Sequence, residues 1–219
     1  MADTSDDDFL LREIDEELQQ EKYSELWKVY GNYIIAVILV IVLGVGGYQG
    51  WRSYDLSARH EQSVRFAAAM NAIAEKPEDA RKTFAKIAED VSGGYGLMAQ
   101  FQNAGLLAKS GDKSAAAAVY AKISADTSID PIYRDMAIIL GALNDLDQAD
   151  PTALSAQLAP LRATENPWRH SATELTALLA IRTGDKKTAR ELLTALTKDA
   201  TAPSGMKSRV SEIITQIGK

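Results

Sequence analysis

The stretches AGLLAKSGDKSAAAAVY (residues 104–120) and ALLAIRTGDKKTARELL (residues 177–193) share one plan. Each holds an apolar helical run, then Gly, then Asp, then a second helical run. Asp112 and Asp185 stand where a side chain can accept free N–H groups in the first turn of a helix, an N-cap typically worth ~1 kcal/mol. The plan recurs along the chain. Residues at offsets 0, 3, 4 and 7 form Ala80, Thr83, Phe84, Ile87; then Ala116, Val119, Tyr120, Ile123; then Leu154, Gln157, Leu158, Leu161; then Ala189, Leu192, Leu193, Leu196. Successive sets start 36, 38 and 35 residues apart. The offset describes one buried face of an amphipathic helix, and a period near 35 marks a helical repeat. From Ser57 onward there is no alternating strand pattern and no hairpin signal, so the expected fold class is all-α.

The prolines fit this reading. Pro77, Pro131, Pro151, Pro167 and Pro203 fall where a helix should begin and a missing N–H costs nothing. Pro160 does not, and is expected to shorten or bend the second helix of the third unit. The last segment, from Pro203 to Ile217, places Met206, Val210, Ile214 and Ile217 on one face, as a terminal helix covering the open end of a solenoid would.

These units resemble tetratricopeptide repeats, whose consensus has a small residue in the first helix, a small residue early in the second, and an aromatic four positions later. Ala104, Ala116 and Tyr120 match in one unit, and Ala68, Ala80 and Phe84 in another. Ala177 and Ala189 match in the last, where Leu193 replaces the aromatic. The unit around Leu154 departs most.

Upstream lies a different kind of sequence. Val29 to Trp51 holds 23 residues without a charge, in a chain that is 25% charged. As a helix it would reach roughly 34 Å, enough to cross a ~30 Å hydrocarbon layer. Tyr30, Tyr33, Tyr48 and Trp51 flank its Ile, Leu, Val and Ala centre, where amphipathic rings favour the headgroup region. A buried core helix needs no such length of unbroken apolarity. A cleavable signal peptide would want a basic leader and small residues at a cleavage site. This leader is acidic and the run ends on bulky rings, so the segment is expected to remain as an anchor. Gly46 and Gly50 form a small-xxx-small pair on which a second helix could pack, although glycine is also simply common in membrane helices. Helical pattern is expected to resume after residues 52–56.

Of the 30 acids and 24 bases, residues 1–28 hold ten and three, leaving 20 acids against 21 bases in the rest. A near-neutral domain without a basic stripe is a poor ligand for phosphate backbones, which argues against nucleic acid. The acidity of the tail also argues against its lying on anionic lipid, although Leu11, Ile14 and Leu18 would form an apolar stripe on a helix. Arg12, Lys22 and Lys28 before the run balance Arg52, Arg59 and Arg65 after it, so charge does not orient the span. The chain has no cysteine, which excludes disulfides, thiolate zinc sites and thiol catalysis.

A short tail, one span closing on GVGGYQGWRSY, degenerate tetratricopeptide units including SGGYGLMAQFQNAGLLAKSGDKSAAA, and a terminal TAPSGMKSRVSEII resemble the ancillary SecYEG translocon subunit family of Gram-negative bacteria. The resemblance covers nearly the whole chain from about Glu13. It implies a single-pass inner-membrane protein with a cytoplasmic N-terminus and a periplasmic repeat domain. It also implies the SecYEG translocon and a membrane-anchored periplasmic chaperone as partners. The expected domains are an acidic tail (1–28), a transmembrane helix (29–51), a repeat domain (52–202) and a capping helix (203–219).

No catalytic, cofactor or metal residue is assigned. His60 and His170 lack neighbours at metal-ligand spacing, and His170 beside Ser171 is no triad signal because adjacent residues on a helix point apart. The favoured function is a non-enzymatic, membrane-anchored scaffold that binds polypeptide clients. An envelope enzyme, or a regulator whose repeats face the cytoplasm, is the alternative. If first helices line a groove, Phe101, Gly105, Glu174 and Leu178 are the expected partner-binding residues, unless some belong to the seam between helices.

Overall fold

The structure, a computed structural model, describes the backbone of residues 4–218 and the side chains of residues 27–218. The stripe Leu11, Ile14 and Leu18 lies outside the described side chains. Helix α1 (Thr4–Ala72) runs without a break. It differs from the expected interruption at 52–56 because no Gly or Pro occurs between Trp51 and Pro77 to stop it. The chain divides into two compact units, residues 1–60 and 61–219.

The first unit is helical throughout its described part. Its apolar side chains stand open, with Val40 70% and Leu43 73% exposed. This helix is long and apolar enough to cross a membrane.

The second unit is a succession of helix pairs. Residues 61–72 of α1 pair with α2 (Pro77–Asp90), α3 (Gly94–Lys109) with α4 (Lys113–Ala125), and α5 (Pro131–Asp145) with α6 (Pro151–Leu158). Then α7 (Arg169–Arg182) pairs with α8 (Lys186–Lys198), and α9 (Ser204–Ile217) follows. No strand occurs among the described residues.

The repeat pattern predicts the core through three of its four offsets. Positions 0, 4 and 7 are buried in every unit, from Phe84, Ile87 and Ile123 at 0% exposed to Leu154 at 5%. Each fully buried large side chain contributes ~1.5–3 kcal/mol of transfer free energy. Offset 3 lies at the margin instead: Thr83 and Gln157 are exposed, Val119 and Leu192 half-buried. Each core joins the second helix of one unit to the first helix of the next. Ala104 of α3, Ala116, Tyr120 and Ile123 of α4, and Ala137 of α5 form one such cluster.

Two of the turns use the Gly–Asp pair as expected. Gly111 and Gly184 take φ of 94° and 83°, a left-handed conformation that costs glycine little. Asp112 then accepts from the Ala115 N–H and Asp185 from the Thr188 N–H, both at 3.0 Å. Asp130 and Asp150 cap α5 and α6 in the same way. The first repeat lacks this turn and opens α2 with Pro77 and no side-chain cap. Its register shifts by one: Ala69 is the buried small residue, at 3% exposed, and Ala68 is exposed.

The third unit is the irregular one. Helix α6 has 8 residues and ends before Pro160, which opens a 3-10 turn over Pro160–Arg162. Pro167 lies two residues ahead of α7 and does not begin it. The third unit is tied to the fourth by polar links as well as by packing. Arg182, in the last turn of α7, donates to the carbonyls of Leu146 and Ala149 in the α5–α6 loop, the latter at 2.6 Å. Trp168 Nε1 donates to the Ile132 carbonyl at 3.1 Å, and Asn166 Nδ2 donates to Asp135 at 2.7 Å.

Candidate partner-binding face

Four buried alanines, Ala69, Ala104, Ala142 and Ala177, sit at the same place on the four first helices. The residue after each is Met70, Gly105, Leu143 and Leu178. Because one residue turns a helix by about 100°, this second row lies beside the buried one on every helix. Met70 is 40% and Leu143 58% exposed. Leu178 is half-buried, and Gly105 is open, with nothing within 4 Å of an added Cβ. The row forms an accessible ledge that is apolar at three of its four positions. Met70 and Leu143 were missed by the sequence reading, though the period already marked them. They lie 35 residues before and 38 residues after Gly105.

The residue three places before each alanine behaves differently. This row is Phe66, Phe101, Ile139 and Glu174. The Phe66 ring meets Phe84 edge-on, with centroids 5.3 Å apart. Phe101 is half-buried and its ring lies 6.1 Å from that of Tyr120. Ile139 is buried. Glu174 is also buried, and Arg209 of α9 grips it through two hydrogen bonds, Nε to Oε1 at 2.7 Å and the second to Oε2 at 2.8 Å. Of the four residues expected to face a partner, the structure therefore brings Gly105 and Leu178 into one row, the first open and the second half-buried, and packs Phe101 beside Tyr120 and Glu174 against Arg209. Gly46 and Gly50 lie on α1, where an added Cβ at either meets nothing within 4 Å.

A family profile described as a tetratricopeptide repeat-like domain matches residues 24–192. The chain belongs to that family. No curated protein and no solved structure matches it. The match begins upstream of the uncharged run, so the tetratricopeptide repeat-like pattern takes in the apolar part of α1 together with the helix pairs. It stops within α8, before α9.

Helix α9 closes this tetratricopeptide repeat-like domain through two polar anchors. The first is the Glu174–Arg209 pair, whose paired hydrogen bonds, with the Coulomb attraction behind them, raise the guanidinium pKa. The second is a cluster at the α8–α9 loop. Asp199 accepts from the Thr201 hydroxyl and from the Thr201 N–H, and its other oxygen lies 2.9 Å from His170 Nε2. The Thr201 bonds, then the His170 bond, hold the Asp199 carboxyl well below the usual carboxylate range. Arg169 donates to the Thr201 hydroxyl at 2.5 Å. Chemically this is a clasp. A nucleophile relay needs the acid on one imidazole nitrogen and the hydroxyl on the other. Here Asp199 and Thr201 both approach Nε2, at 2.9 and 3.3 Å. The Thr201 hydroxyl, giving its proton to Asp199 and accepting from Arg169, is already occupied.

Proposed function

We propose that the chain is a non-enzymatic, membrane-anchored interaction protein that presents the Met70–Gly105–Leu143–Leu178 ledge to polypeptide. The observation that carries this reading is one equivalent position of the four first helices that is open at Met70, Gly105 and Leu143 and half-buried at Leu178. A single exposed Leu needs no explanation, but a row repeated at the period of the fold is a shape an extended or helical chain can follow. The apolar helix supplies the anchor. Among the described residues nothing buries its side chains, and a bilayer covers such a surface at no polar cost. Anchoring raises the effective concentration of the ledge toward any membrane partner, so weak contacts suffice.

More specifically, the chain serves as a single-pass inner-membrane subunit beside the SecYEG translocon, with its tail in the cytoplasm and its repeats in the periplasm. There it holds a membrane-anchored chaperone or emerging secreted chains. Support for this finer reading is the resemblance of GVGGYQGWRSY, SGGYGLMAQFQNAGLLAKSGDKSAAA and TAPSGMKSRVSEII to that family. Three measurements test it. Alkaline carbonate should leave the protein in the membrane pellet, and a reporter fused at Lys219 should be active only in the periplasm. Photo-crosslinkers at Leu143 and Leu178 in living cells should capture translocon subunits, a chaperone or secreted chains. Release by carbonate would remove the anchor, and the absence of any crosslinked polypeptide would remove the scaffold.

A further inference from the structure

A cleft of about 280 Å³ lies between α4, α5 and α6. Ala117 and Ala121 of α4 form one wall and Ala153 of α6 the other, with Gly141 of α5 between them. Helices α4 and α5 approach closely there, since a Cβ added to Gly141 would lie 3.4 Å from Tyr120 Cβ. Helix α6, which forms its third side, has 8 residues where α4 and α8 have 13.

Between residues 123 and 151 the chain carries six Asp and one Arg, inside a unit, residues 61–219, that holds 19 acids and 19 bases in all. Four of the six do not line the cleft. Asp126 accepts from Ser128, Asp130 caps α5, Asp135 accepts from Asn166, and Asp147 lies 3.8 Å from Lys113. The other two, Asp145 and Asp150, line the cleft. Among the described residues neither forms an ion pair. One oxygen of Asp150 caps α6 by accepting from the Ala153 N–H.

Resting on the reading that the domain binds polypeptide, we propose that this cleft is a second, separate docking site. It takes a segment of a partner chain in which one bulky apolar side chain is flanked by Lys or Arg. The volume falls just below the roughly 300–1,000 Å³ of small-molecule pockets and suits the anchor of a peptide. Small side chains on both walls admit that anchor without rearrangement. Asp145 and Asp150 then meet the flanking cations and give the site its preference.

The test uses the full chain in nanodiscs of zwitterionic lipid and a short fluorescent peptide of leucines flanked by lysines, read by anisotropy. Wild type should bind this probe and not its Lys→Glu or Leu→Ser versions. Ala121→Arg, at an exposed position, should reduce affinity more than tenfold by filling the cleft with a cation. Asp145→Asn should weaken binding about two- to fivefold at low salt and less at high salt. Ala118→Arg, exposed on the same helix outside the cleft, should bind as wild type. Equal binding by all three variants, or by the Lys→Glu peptide, would overturn the site. If that happens while crosslinkers at Leu143 and Leu178 still capture polypeptide, the cleft falls and the ledge stands. If those crosslinkers also capture nothing, both fall.

Discussion

Replacing Tyr120 by Ala probes the repeat register at its most informative position. Tyr120 is 4% exposed, and its ring lies 6.1 Å from Phe101, inside the cluster that joins α3, α4 and α5. Burial also raises the phenol's pKa, so the hydroxyl stays neutral throughout the physiological range. Truncation removes the whole ring and its hydroxyl from a site whose walls are helices and cannot collapse freely, so the cost should be ~3–5 kcal/mol, as for other buried aromatics. In a unit of this size each kcal/mol moves the midpoint by roughly 2–4 °C. The expected fall is therefore about 6–20 °C. Tyr120→Phe keeps the ring and should stay within about 1.5 kcal/mol of wild type. Far-UV circular dichroism of the full chain in detergent follows the transition, with the apolar part of α1 contributing a constant background. An unchanged midpoint in Tyr120→Ala would refute the placement of this ring between units, and the register built on it.

Two more perturbations address the C-terminal closure. Arg209→Ala leaves the buried Glu174 carboxylate without its partner and should cost ~1–3 kcal/mol. The loss should show as faster hydrogen exchange of the α9 amides while α2–α4 exchange as before, and unchanged α9 protection would contradict it. The second concerns acid. Asp199's folded pKa is depressed, so its contribution is fully present above the unfolded value of about 3.9 and is lost as pH falls below it toward the folded pKa. Asp199→Asn should therefore flatten the decline of the melting midpoint between about pH 5 and 3, and a slope identical to wild type would refute that role.

Much of this architecture could be read from the chain because the interval between equivalent residues is a local quantity. Offsets 0, 4 and 7 return to one side of a helix in every unit, and each of those residues is buried. Gly111–Asp112 and Gly184–Asp185 combine a left-handed turn with a cap, and both features depend on neighbours alone. Where the local signal changes, the register becomes harder to read. The first unit replaces Gly–Asp with Lys76–Pro77, and its buried alanine moves from Ala68 to Ala69. The site was less legible. Glu174 and Leu178 share a helical stripe, yet the first is held by Arg209, 35 residues away, and no spacing rule announces an ion pair across elements. The ledge residues Met70 and Leu143 were marked by the same 35- and 38-residue intervals that define the repeat, but single-helix apolarity did not distinguish an exposed Leu from a buried one.

The guanidinium of Arg182 has a consequence for the order in which the molecule can be completed. During synthesis α2, α3 and α4 find their packing partners by the time α5 has emerged. The third pair does not, because α6 is short and the carbonyls of Leu146 and Ala149 wait for a side chain 33 to 36 residues downstream. A nascent chain ending at residue 165 would expose those carbonyls and lack the α7 side of its core, whereas one ending at residue 200 would have both. Pulse proteolysis of the two fragments should find α5–α6 protected only in the longer. That outcome would mean that the repeats mature unevenly, two early pairs followed by two later pairs that are completed together.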